Sequence, residues 1–163
     1  MNNSNAQTYL DDCRDELAKV DLIIQAFGQF NDAVPFLTKY AIIKACGTIE
    51  QCFKTIIADH SSNGQSQQVK NYIDETVRKS SMNPNYSNIC SLLKKFDGSW
   101  TTAFKNAVNA HTDKAQIETS LSSLNEERNK FAHGGQPSAS FVNVQDYFTH
   151  ARKIIDMLDT IIV

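Results

Sequence analysis

Apolar residues recur three and four positions apart along almost the whole chain, and alternation with a period of two is nearly absent. That spacing gathers apolar side chains on one face of an α-helix, which turns once every 3.6 residues. Leu10, Cys13, Leu17, Val20, Ile24 and Phe27 predict a first helix from Thr8 to Phe30. Asn31-Asp32 can cap the next helix, and Pro35 suits its first turn, where a backbone N–H has no partner to lose. This second helix is expected over 34–59, with Ile42, Cys46, Ile49, Phe53 and Ile56 facing inward. From Gln67 to His111 the periodic runs are shorter. They predict a helix around Val69–Val77, a turn at 81–85, a helix from Ser87 to Phe96 and a further segment from Trp100 to Asn109. Another long helix is expected over 113–133. A last one, capped by Asn143, carries Val144, Phe148, Ala151, Ile155, Leu158 and Ile162. Residues 1–6 read as a disordered lead-in, and Ser140-Phe141-Val142 as a brief extended segment.

With no internal repeat, low-complexity tract or long linker, the pattern predicts one all-α domain over 1–163. It is expected to be an antiparallel bundle of four to five main helices, with short extra helices between the second long one and the helix at 113–133. A chain of 163 residues buries roughly 70% of its unfolded surface, so no disulfide or metal is required to hold a core. Cys13, Cys46, Cys52 and Cys90 include no C-x-x-C pair; reduced core residues are the expectation, with zinc or a disulfide as the alternative. The first residues, Met1-Asn2-Asn3-Ser4-Asn5, lack the apolar core of a signal peptide, and no apolar run approaches a membrane span. A cytoplasmic protein without a membrane partner is therefore expected. Net charge is −2, which argues against a broad basic face for duplex binding but leaves room for a small phosphate site.

One stretch departs from an ordinary packed helix: Glu126-Glu127-Arg128-Asn129-Lys130-Phe131-Ala132-His133-Gly134-Gly135. Ile117, Leu121, Leu124, Arg128 and Phe131 form an inward stripe, so Arg128 occupies an apolar position. A guanidinium keeps its proton and needs a carboxylate, a phosphate or a carbonyl to face. Asn129 and His133 are four apart and share the adjacent face, with Glu126 and Lys130 nearby, and Gly134-Gly135 offers a C-cap. On the second helix Glu50 falls within the apolar face. Two readings of it stay open: a half-exposed edge residue, or the ion-pair partner of Arg128. Gly47, one turn earlier, would let another helix approach closely.

Arg128-Asn129, three residues, then His133-Gly134 resembles the Arg-x-x-x-x-His signature of the HEPN superfamily, in the form of the RiboL-PSP-HEPN type. The resemblance covers most of the chain loosely and about fifteen residues around the motif closely. It implies a HEPN-like bundle and a homodimer that joins two motifs in a composite cleft. It also implies an endoribonuclease acting as a toxin or phage-defence effector, under the control of an antitoxin or other regulatory protein.

The residues are compatible with that chemistry. Metal-ligand spacings, P-loops, dinucleotide fingerprints and serine-nucleophile motifs are missing, so neither a metal nor a cofactor is expected. RNA supplies its own nucleophile, the ribose 2′-hydroxyl. An imidazole can move protons near neutral pH, and a guanidinium can stabilise the phosphate's developing charge. His133 and Arg128 are the candidate catalytic residues, with Asn129 and Lys130 orienting or binding the substrate and Glu50 supporting Arg128 as an ion pair. Two bland readings stand beside this one: Arg128 as a structural ion pair, and His133 as a residue favoured by a helix C-terminus. At the level of function, the alternatives are a non-catalytic HEPN module for dimerisation and nucleotide or protein binding, and a purely structural helical adaptor.

Overall fold

A computed structural model describes residues 1–163 as seven α-helices without a strand: α1 Ser4–Phe27, α2 Val34–Ser62, α3 Gln67–Ile73, α4 Tyr86–Phe96, α5 Gly98–Ala110, α6 Lys114–Ala132 and α7 Phe141–Ile161. α3 runs on into a wider π-helical turn at Asp74–Arg78. The four long helices are α1, α2, α6 and α7. α2 lies at the centre, packed against α1, α6 and α7. This position explains its broad buried face, from Ala41 and Ile42 through Cys46, Ile49 and Phe53 to Ile57. The short helices form the elaboration expected from the sequence, α4 packing on α5 and α5 on α7. Every helix adds apolar side chains to one continuous core, including Ile73 from α3, Leu93 from α4 and Phe104 from α5.

Five of the seven helices start from a side-chain cap, α2 and α6 being the exceptions. Asn85 accepts from Asn88 N at 2.7 Å to start α4. Asp97 both ends α4 and caps α5, its carboxylate taking Ser99 N at 2.7 Å. Pro35 sits in the first turn of α2 as expected. Burial pushes the Cys13 thiol up to about 11 and those of Cys46 and Cys52 up to about 12, so these are neutral core residues.

Several local expectations differ from the structure. α1 ends at Phe27 rather than Phe30, with the Phe27 ring exposed, and α2 starts from Ala33 without the side-chain cap expected of Asn31-Asp32. The polar lead-in at 1–6 is ordered: α1 starts at Ser4, and the backbone amides of Asn2 and Asn3 donate to the buried carboxylate of Asp159 on α7. That anchor lies 156 residues from Asn3 and leaves no local trace. α2 continues past Asp59 to Ser62, through part of the expected polar loop. Ser140-Phe141-Val142 is not extended; Ser140 is the N-cap of α7, and Asn143 closes a capping box with it three residues in.

Candidate active site at the end of the sixth helix

α6 stops where the glycines require it. Gly134 has φ +79, a backbone conformation that a side chain disfavours. Its N–H donates to Phe131 O at 3.0 Å, and Gly135 N donates to Lys130 O at 2.8 Å. These two bonds make a Schellman motif. A Cβ on Gly135 would lie 2.9 Å from Lys130 O, so that position also demands glycine. The motif leaves His133 as the C-cap residue, exposed, with no hydrogen bond to its ring.

Arg128 keeps the azimuth of the inward stripe but is only half-buried. No carboxylate lies within ion-pairing distance. Its Nη1 donates instead to Asn83 Oδ1 at 2.8 Å and to Asn129 Oδ1 at 3.2 Å, while Nε and Nη2 have no partner in the chain. Asn83 Nδ2 in turn donates to Asn129 Oδ1 at 3.2 Å. Two neutral amides therefore hold a full positive charge in place without neutralising it.

Glu50 is not the partner of Arg128. Its Oε1 accepts from Lys54 Nζ at 2.9 Å and from Met82 N at 3.0 Å. Lys54, itself buried, also donates to the carbonyl of Ser80. The reason is register: Lys54 lies one turn along the same helix and faces Glu50 at no cost in chain entropy. Glu50, Lys54 and Asn125, which donates to Pro84 O at 3.1 Å, together dock the 80–85 turn that presents Asn83. Glu50 thus supports Arg128 at one remove, by fixing the turn.

Lys130 is also engaged. Its Nζ lies 2.6 Å from Glu127 Oε1 and 3.3 Å from Ser138 Oγ. Glu127, 6% exposed, accepts in addition from Ser138 N at 2.6 Å, Ser138 Oγ at 3.0 Å and Ala139 N at 3.1 Å. Burial would raise its pKa, but the Lys130 ammonium and the Ala139 and Ser138 donors outweigh it and hold the carboxyl at about 2. Glu127 thereby ties the loop after His133 back onto α6. Sequence reasoning missed both Asn83 and Glu127. Asn83 gives no local signal, lying 45 residues before Arg128 in a turn. Glu127 was readable in part, three residues after Leu124 on the edge of the stripe.

The side of α2 nearest this helix end is apolar and uncovered. Phe36, Tyr40 and Ile43 are 70%, 48% and 46% exposed, and nothing stands within 4 Å of a Cβ built on Gly47. Lys39 bridges this face and the motif helix, 5.6 Å from the ring centre of Phe36 and 5.7 Å from that of Phe131. No His, Cys, Asp or Glu side chains converge in groups of three.

The model of the RiboL-PSP-HEPN family matches residues 8–163, nearly the whole chain and all of the site. The chain belongs to this family. No curated protein and no solved structure matches it. Membership in the HEPN superfamily points to a nuclease or a nucleotide-binding module. No helix is long and apolar enough to cross a membrane.

Proposed function

We propose that this HEPN protein is a metal-independent endoribonuclease that works as a homodimer. The observation that carries the reading is Arg128: a fixed, half-buried guanidinium with no carboxylate of its own and two nitrogens free, at a helix end that carries an exposed imidazole five residues on. Such a charge is poised for an external anion, and a phosphodiester matches its planar fork. The 2′-hydroxyl of RNA attacks the adjacent phosphorus and the bond to the 5′ oxygen breaks. His133 of one subunit takes the 2′ proton, and that of the other protonates the departing 5′ oxygen. The ends are a 2′,3′-cyclic phosphate and a 5′-hydroxyl. Arg128 stabilises the charge on the phosphate at the transition state.

Two histidines require two chains. The uncovered α2 face of Phe36, Tyr40, Ile43 and Gly47 flanks the motif and suits a second copy. A glycine inside a helix costs about 1 kcal/mol against alanine, and no element of the same chain uses the space it opens. Asn129 serves to aim Arg128. Lys130 and Glu127 secure the loop, so Lys130 acts on the substrate only through the local field.

Purified protein is expected to cut single-stranded RNA in EDTA. His133→Ala should lose about 10²–10⁴-fold in rate with an unchanged helical circular dichroism spectrum, since the side chain is exposed. Full activity in that variant would remove His133 from the mechanism. The family resemblance suggests a toxin or phage-defence role held in check by an antitoxin or regulatory protein. Expression of the wild type should then arrest its host, while Arg128→Ala and His133→Ala should not. The second reading, a non-catalytic module, draws on the absence of any partner that orients the His133 ring. It predicts RNA or nucleotide binding with no cleavage.

A further inference from the structure

A groove of about 890 Å³ opens between the end of α1, the start of α2 and the loop joining α6 to α7. Its size falls within the range of built ligand sites, roughly 300–1,000 Å³. The groove starts beside the motif. Gln136 in its wall is three residues past His133, a reach of at most ~11 Å along the backbone, and Lys39 in its wall lies over the Phe131 ring of the motif helix. Lys39 is in no ion pair of the chain. The amides of Gln29, Gln136 and Gln145 also line the groove, and their side chains make no hydrogen bond within the chain. Gln25, by contrast, is occupied by Asp21 at 2.8 Å. Beneath them the floor is apolar, from Ile24, Val34 and Phe141.

We infer that this groove is the subsite for the unpaired nucleotides flanking the scissile phosphate, with Lys39 on the backbone and Gln29, Gln136 and Gln145 on the base edges. The inference rests on the ribonuclease reading for its choice of ligand. Single-stranded RNA is read by seating splayed bases on apolar surface and bonding their edges. A side-chain amide carries both a donor and an acceptor, as a base edge does. Lys39, with no carboxylate partner, gives the groove a phosphate contact, while the one carboxylate of the lining, Asp21, is engaged by Gln25. The groove adjoins the uncovered face at Lys39, which stands 5.6 Å from the centre of the Phe36 ring, while Phe36, Tyr40 and Ile43 themselves do not line it.

The test uses the full chain and a fluorescent eight-nucleotide RNA bearing 2′-O-methyl groups, which cannot be cut by 2′-hydroxyl attack. Anisotropy should report binding by the wild type. Lys39→Ala should weaken it about ten-fold and lower the slope of log affinity against log salt by about 0.7, the value for one lost phosphate contact on a single strand. Gln136→Ala should change the preference among oligonucleotide sequences and leave that slope alone. Both positions are accessible, so folding is expected to persist and is checked by circular dichroism. Groove-dependent binding without cleavage of ordinary RNA would sink the enzyme reading and keep the subsite. Cleavage and binding that ignore both substitutions would do the reverse. No binding of the oligonucleotide, or a loss of dimer in sedimentation on changing Lys39, would overturn the subsite.

Discussion

Arg128 owes its character to what it lacks. A buried arginine normally sits against a carboxylate, and the pair is then electrostatically closed. Here two asparagine oxygens hold it. Asn83→Ala should therefore cut kcat by about ten-fold while lowering stability by only ~1 kcal/mol, the usual worth of a hydrogen bond. Single-turnover cleavage alongside a denaturant melt separates the two effects. A large stability loss with unchanged cleavage would show that Asn83 holds the turn and nothing more. Glu127 makes the opposite case, a carboxylate satisfied on every side. Its folded pKa of about 2 lies below the ordinary 4.5. The stability it confers is thus fully present above pH 4.5 and drains away as pH falls through about 2. Glu127→Gln should be clearly less stable than wild type at pH 6, and the gap should close between pH 5 and pH 2. A gap independent of pH would mean that the ionised form contributes nothing.

Among the elements, the end of α6 constrains chemistry most directly. The Schellman motif sets where the helix releases His133, and both glycines are needed for it, one for a positive φ and one for its approach to Lys130 O. Gly135→Ala should cost about 1–3 kcal/mol by clash and strain. In a chain of this size that lowers Tm by roughly 2–4 °C per kcal/mol. Cleavage should fall further than the melt implies, because the displaced cap carries the imidazole with it. An unchanged melt in calorimetry would mean that the loop shifts freely. The 80–85 turn is the second controlling element. It belongs to the elaboration between α2 and α6, yet it supplies a direct partner of Arg128.

For the molecule as a whole, the proposed dimer makes each copy half of a symmetric site. Ile43 is exposed on the α2 face, one turn before bare Gly47, and does not line the groove. Ile43→Asp should give a folded monomer in sedimentation and abolish RNA cleavage, since each cleft would then hold only one His133. A monomer that still cuts RNA would refute the shared cleft. On the proposed reading the two surfaces divide the labour: an apolar face for the twin subunit, and a mixed groove for the strand.

Periodicity alone determined that the chain is helical and which faces most of its long helices bury, because burial of an amphipathic stripe is dictated by residues three and four apart, though Phe27 at the end of its stripe is exposed. The helix end that carries Arg128 and His133, with its glycine stop, was also legible, being local along α6. The tertiary structure decided the partners. It assigned Glu50 to Lys54 rather than Arg128, tied Lys130 into an ion pair with Glu127, gave Arg128 to Asn83 and ordered the first residues against Asp159. Asn83 with Arg128 and Asn3 with Asp159 join atoms 45 and 156 residues apart through the packing of helices. The two ion pairs, though three and four residues apart, are completed by the 80–85 turn and the loop at Ser138. Sequence spacing states which side of a helix a group occupies, but not what the neighbouring element brings to meet it.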